Sequence, residues 1–379
     1  MWLERLRRRY KRRYKRPALR SRKTQALKYA GSALLLVLLG VGLYVYWFSV
    51  ARLEPDAKIY VVQPGTSLKA FARQLNEEGV LPDARTLVWI AAIKGRSRDL
   101  KAGEYRFRKG ITVMEILDQV MSGRVVEYPL TIIEGWTFRQ VMDVLAAAPK
   151  LTHTLQGMKP AQIMASLGYP GQHPEGRFYP DTYYYSAGMS DILILQRAYQ
   201  RMDKVLEEEW EGRQSGLPIK NRDEALTLAS IVEKETGKSE ERPVIAGVFI
   251  HRLRIGMKLQ TDPTVIYGIG ERFNGNLTVR DLRHPTPYNT YVIKGLPPTP
   301  IAMVGREALH AVLNPASTNA LYFVSRGDGS HEFSENLEQH NRAVIKYQLK
   351  GKPKPEPAPA VRARDKHTAN ARSERRTVP

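Results

Sequence analysis

The sequence predicts an α+β protein on one N-terminal membrane-spanning helix, with a small α+β subdomain followed by a larger α+β domain. Three observations point there. Tyr29 to Val50 reads YAGSALLLVLLGVGLYVYWFSV, without a charged side chain. Residues 59–125 twice run through a strand-like stretch, a Gly turn and an amphipathic helix. Beyond 126, helical patterns alternate with short β-rich runs and close on a hairpin signal. The expected organisation is a basic segment 1–28, a membrane helix 29–50, a subdomain 51–125, a larger domain 126–350 and a tail 351–379.

As a helix, Tyr29 to Val50 is long enough to cross a hydrocarbon core of about 30 Å. Residues 1–28 carry 13 Lys or Arg against the single Glu4, whereas Ala51 to Lys58 is balanced. The positive flank is the cytoplasmic one, so the rest of the chain is expected on the far side of a cell's inner membrane. A cleaved signal peptide would be shorter and end in small residues. Here the stretch closes on Tyr44, Tyr46, Trp47 and Phe48, which suit the interfacial belt of a retained helix.

The formal net charge of +21 raises the question of nucleic acid, since a basic face is the footprint of phosphate binding. Its distribution argues against it. Residues 1–28 hold +12 and residues 351–379 hold +5, from 8 Lys or Arg against 3 Asp or Glu, so the part between is nearly balanced. The basic head lies where anionic membrane lipid would attract it. With no cysteine, disulfides, thiol nucleophiles and cysteine-ligated zinc are excluded. The eight His show no H-E-x-x-H spacing, no G-x-S-x-G elbow occurs and no Gly-rich phosphate loop follows a strand, so no metal or cofactor is expected. The tail KPKPEPAPAVRARDK is Pro-rich and apolar-poor, the composition of disorder.

In the subdomain, Ser67 is the expected N-cap of a helix with Leu68, Phe71, Ala72 and Leu75 on one face and Gly79 past its end. A helix over 84–94, a strand over 105–108, a turn at Gly110 and a helix over 112–121 capped by Gly123 follow. In the larger domain, strand character covers 128–133 and helices are expected over 137–147, 161–167 and 191–209. Leu321 to Ser325 and His331 to Phe333 flank Arg326-Gly-Asp-Gly, a hairpin turn.

The most informative stretch is NRDEALTLASIVEKETGK. Asn221 and Glu224 resemble a capping box, and apolar residues lie nearly all round the helix, as in a core helix. A carboxyl near such a helix end is pushed toward its acid form, the state a general acid needs. Glu233 and Glu235 both qualify. At about 100° per residue they point about 200° apart, so they cannot serve one site together. Periodicity does not choose between them, and either could instead pair with Lys234, Lys238 or Arg242. LQTDPTVIYGIG and DLRHPTPYNTYVIKGLPPTPIAMVG read as rigid loops. Gln260, Asp262 and Asn289 there could bond sugar hydroxyls while Tyr288 and Tyr291 pack on sugar faces; plain turn chemistry at Asp262-Pro263 and Tyr288-Asn289 accounts for the same residues. His331 and His340 read as structural.

PEGRFYPDTYYY, LASIVEKET, LQTDPTVIYG, PYNTYVIKGLPPTPI and HEFSENLEQHNRAV, in that order, resemble the endolytic murein transglycosylase (YceG-like) family, over about Ile59 to Tyr347. The opening strand, Pro64-Gly65 turn and helix resemble a lysin-motif glycan-binding module. The resemblance implies cleavage of the bond between N-acetylmuramic acid and N-acetylglucosamine in nascent peptidoglycan, leaving 1,6-anhydro ends, terminating strands beside peptidoglycan synthases. It implies Glu233 as the catalytic residue, with Gln260, Asp262, Tyr288, Asn289, Tyr291 and Glu175 contacting the glycan. Met303-Val304, where Pro commonly precedes the Gly, and Thr261, where Ser is frequent, depart from the pattern. The alternatives are a muramidase-type hydrolase with Asp262 or Glu175 as second carboxylate, and a non-catalytic glycan-binding scaffold.

Overall fold

The computed structural model describes residues 19–349. The basic residues before Leu19 and the tail 351–379, expected to be disordered, lie outside the described residues. Helix α1 spans Leu19–Val50, starting ten residues before the apolar run. Among the described residues it holds the one stretch long and apolar enough to cross a membrane, Thr24–Val50, of which 6% is buried. This is a sign of a membrane anchor or a signal sequence. Tyr46 and Trp47 are exposed, as a belt requires, but Phe48 is wholly buried. It packs in the core of the first compact unit beside Val45, because the helix docks its last turns against that unit's helices.

The described residues divide into two compact units, one drawn from those up to Leu130, Leu145–Gln156 and Thr182–Ile194, the other from Thr131–Val144, Gly157–Asp181 and those from Leu195 on. In the first unit β1 (Arg52–Leu53) pairs antiparallel with β4 (Ile111–Thr112). Likewise β2 (Tyr60–Val62) pairs with β3 (Gly103–Tyr105), with Tyr60 opposite Tyr105. The expected strand over 105–108 therefore starts earlier and ends at Tyr105, where the partner runs out. Helix α2 (Leu68–Glu77) is capped by Ser67, whose Oγ accepts the Ala70 N–H at 3.2 Å, and buries Leu68, Phe71, Ala72 and Leu75. Helix α3 (Ala84–Ile93) is capped by Asp83. Helix α4 (Val113–Ser122) opens on a Thr112–Glu115 capping box and stops at Gly123 in the left-handed region. Strand β5 (Glu127–Thr131) pairs with β6 (Thr182–Ser186), further along the chain.

Three helices precede the central helix of the second unit: α5 (Phe138–Ala147), α6 (Pro160–Ser166) and α7 (Asp191–Glu211). The centre is α8 (Arg222–Glu235). Leu226, Leu228, Ala229, Ile231 and Val232 are all fully buried, each contributing about 1–3 kcal/mol. Asn221 Oδ1 accepts the Glu224 N–H at 2.9 Å. The reciprocal half of the expected capping box is absent, because the Glu224 carboxylate takes the Lys220 N–H instead. Helix α9 (Arg242–Arg254) is followed by α10 (Asp262–Ile269). A helix stands where the sequence predicts a rigid loop. Pro263 lies in the first turn, where its missing N–H costs nothing, so Asp-Pro opens a helix. Helices α11 (Val279–Arg283) and α12 (Arg306–Leu313) lead to the hairpin of β7 (Tyr322–Ser325) and β8 (His331–Ser334). Its turn uses Gly327 and Gly329 at positive φ, and α13 (Leu337–Tyr347) packs on it.

Candidate active site

Glu233 and Glu235 leave the end of α8 on opposite sides, in different surroundings. The Glu233 side chain is 5% exposed. Its Oε2 accepts the Gly305 N–H at 2.9 Å and its Oε1 lies 3.4 Å from Arg242 Nη2. Arg242 also reaches Glu307 and, at 3.9 Å, Glu134. A Cβ on Gly305 would meet the Glu134 carboxylate, which would have to move aside. Burial raises the Glu233 pKa; the Gly305 N–H opposes this, Glu134 adds to it and Arg242 opposes it.

Glu235 faces a cavity of about 570 Å³ lined by Gln260, Thr261, Asp262, Tyr291, Arg252 and His331 among others. The Thr261 hydroxyl donates to its Oε1. Burial pushes this carboxyl up to about 7; the Thr261 hydrogen bond opposes the shift, Asp262 adds to it, and His331 and Arg252 oppose it. At neutral pH such a group is about half protonated, able to give a proton and take one back.

The loop before α10 brings the other groups in. Thr261 donates its N–H to Thr290 Oγ1 at 3.0 Å, which ties residues 260–262 to residues 289–291. Gln260 is held at φ +51, the one positive-φ residue other than glycine among the described residues. Such strain is kept where the surroundings fix it, often at functional sites. Asp262 Oδ1 accepts the Tyr291 hydroxyl at 2.6 Å. Burial, and then Asp262, raises the Tyr291 pKa, so this phenol stays a donor.

Gln260, Asp262 and Tyr291 thus share one cavity with Glu235, and Glu233 does not line it. Asn289 is 1% exposed and spends its amide inside the fold: Nδ2 donates to the carbonyls of Asp281, Leu282 and His284, and Oδ1 accepts the Tyr291 N–H. It shapes the loop that carries Tyr291. Glu175 and Tyr288 line a second cavity of about 1120 Å³. Glu175 is 3% exposed. It accepts the Phe138 N–H at 2.9 Å and the Tyr267 hydroxyl at 3.0 Å, and burial raises it to about 7.

Sequence reasoning missed Arg252, His331 and His340 as walls of the Glu235 cavity. His331 Nδ1 lies 2.7 Å from Glu241 Oε2. Among the described residues, no group of three or more His, Cys, Asp or Glu is placed to hold a metal ion.

The model of the YceG-like family matches residues 60–346, most of the chain, and takes in α8, the α10 loop and the hairpin. The chain belongs to the YceG-like family. A Bacillus subtilis protein named endolytic murein transglycosylase is 29% identical over 334 residues, spanning 81% of this chain and 90% of that protein. A protein of the same name from Streptococcus pneumoniae serotype 2 is 27% identical over 336 residues, which is 79% of this chain and 60% of that longer protein. A crystal structure of a yceG-like protein from Listeria monocytogenes covers 76% of this chain and all of its own, at 30% identity and a TM-score of 0.50.

Proposed function

We propose that this protein is an endolytic peptidoglycan lytic transglycosylase whose acid and base is Glu235. The observation that carries the reading is a buried carboxyl with a pKa of about 7, facing a cavity with Gln260, Asp262 and Tyr291, in a family whose relatives bear that name. Protonated Glu235 gives its proton to the glycosidic oxygen of N-acetylglucosamine as the bond to C1 of N-acetylmuramic acid breaks. The C6 oxygen of the same muramic residue closes on C1, and its proton passes to the Glu235 carboxylate. The acid is restored, no water is consumed and no second carboxylate is needed, unlike the two-carboxylate glycosidases. Thr261 orients one carboxylate oxygen, and Gln260, Asp262 and Tyr291 bind the sugars.

Glu233, the residue the resemblance implies, is the second reading: it too is buried with a raised pKa. On that reading Oε2 keeps the Gly305 N–H and Oε1, 3.4 Å from Arg242, carries the proton. The wider proposal divides the chain into a lysin-motif-like glycan-binding part, 51–125, and a catalytic part, 126–350. The anchor α1 would cross the inner membrane once with its N-terminus cytoplasmic, holding the catalytic part in the periplasm. There it would act on nascent strands beside peptidoglycan synthases and terminate them.

Digestion of purified peptidoglycan by the full chain, with products weighed by mass spectrometry, tests the reaction. Muramic ends one water lighter than hydrolytic ends are expected. Water-bearing reducing ends alone would favour a hydrolase with Asp262 or Glu175 as second carboxylate, and intact glycan would favour a binding scaffold.

A further inference from the structure

We infer that the first unit lies on the membrane surface, with the exposed face of α3 seated among anionic phospholipid headgroups beside the end of α1. The inference rests on the reading of α1 as a retained anchor and extends it to how the unit is held.

No spacer separates the anchor from the folded unit. Phe48, in the last turn of α1, is wholly buried in the unit's core, and Val45, about one turn earlier, packs against that core. Only Ala51 lies between α1 and β1. The core of the unit therefore begins where the apolar run ends, and the surface around that point lies at the depth of the headgroups. Helix α3 packs against α1 there, and helices packed side by side have axes about 8–10 Å apart.

The outward face of α3 has the composition such a position calls for. Helix α3 buries Thr86, Leu87, Ile90 and Ala91. On its other side Arg85, Trp89, Ala92 and Ile93 are exposed and, at helical spacing, fall within about 100° of arc. Trp89 is 57% and Ile93 78% exposed, and outside α1 no large apolar side chain among the described residues is more exposed than Ile93. Trp89, Val88 and Ala84 wall a cavity of about 560 Å³ completed by Arg85 and, from α2, by Lys69 and Arg73. Among the described residues none of these three cations makes an ion pair. Asp83, beside Arg85, spends its carboxylate on the Arg85 and Thr86 N–H groups at the start of α3. No carboxylate, amide or hydroxyl side chain lines the cavity. A neutral sugar finds no side-chain acceptor there, whereas a phosphate meets three cations. An exposed indole and an exposed isoleucine among unpaired cations form the pattern of a face lying in an anionic interface.

The chain has no cysteine, so Ala92→Cys in the whole chain places a single nitroxide label on this face and leaves Trp89 and Ile93 in place. The labelled chain is reconstituted into phosphatidylcholine vesicles with and without phosphatidylglycerol. Electron paramagnetic resonance then reads the label's collisions with a nickel chelate in the water on both sides and with oxygen dissolved in the lipid. In vesicles holding phosphatidylglycerol the label should be shielded from the chelate and open to oxygen. Arg73→Glu/Arg85→Glu, which alters only exposed side chains, should lower the ratio of docked to free label by at least about tenfold. A label as open to the chelate in those vesicles as in detergent micelles would overturn the inference. Shielding that survives the charge reversal, that grows with the ratio of protein to lipid, or that needs added glycan strands would also overturn it, the last two by assigning the face to a second copy or to glycan. Release of the chain from the vesicles by an alkaline carbonate wash would remove the anchor reading itself, and the inference with it.

Discussion

The two faces at the end of α8 present the same side chain to opposite environments. On one, Glu233 has both oxygens engaged by the protein, by the Gly305 N–H and the Arg242 guanidinium, with Glu134 and Glu307 around the same cation. On the other, Glu235 has one oxygen engaged by Thr261 and opens on a cavity with Gln260, Asp262 and Tyr291. Burial raises both pKa values. The difference teaches that a raised pKa does not mark a catalyst by itself. An acid also needs room for the substrate to reach it.

The largest effect that would sharpen the contrast is expected from Glu235→Gln. Removing the proton donor should lower turnover of purified glycan by about a thousandfold, measured as release of soluble fragments with binding retained. Retention of more than a tenth of the activity would break the contrast. The pH dependence follows from the same group. Its folded pKa lies at about 7, above the ordinary 4.5, and the working form is the protonated one. The kcat/KM should therefore fall as pH rises through 7, by about tenfold per unit beyond it. A falling limb near 4.5 would point to a different acid.

On the closed face, Arg242→Ala strips three carboxylates of their shared cation and should cost about 3 kcal/mol of stability, read by denaturant unfolding. If Glu235 is the acid and base, the folded fraction should keep its chemistry, since Arg242 lies on the Glu233 side of α8. An effect of similar size and opposite sign is expected at the open face. With a raised folded pKa, Glu235 contributes stability that is full below about 4.5 and lost as pH climbs through 7. Glu235→Gln removes that loss, so the variant should be about 3 kcal/mol more stable than the parent at pH 8 and near equal at pH 4. Equal stability at both pH values would mean that the carboxyl is not buried at a cost.

Local chemistry made much of the fold legible. Ser67, Thr112 and Asn221 mark helix starts by side-chain caps, Gly123 marks a stop, and apolar residues all round 225–232 mark a core helix. Nonlocal effects were hidden. The choice between Glu233 and Glu235 depends on which loops arrive, Gly305 from 72 residues away and Thr261 from 26. Periodicity on α8 carries no trace of either. Phe48 read as part of an aromatic belt because its burial depends on a unit folded from later residues. Arg252, His331 and His340 reach the cavity from three separate elements. One miss had a local signal: Pro263 after Asp262 suits the first turn of a helix as well as a loop turn, and α10 follows from it.

The most direct measurement is digestion of purified peptidoglycan by the Glu233→Gln chain, with folding checked by circular dichroism and muramic ends identified by mass. If Glu235 is the acid and base, the folded variant still produces anhydro ends, within about tenfold of the parent rate. A folded Glu233→Gln chain that binds glycan and yields no anhydro ends would contradict this and return the proton transfers to Glu233.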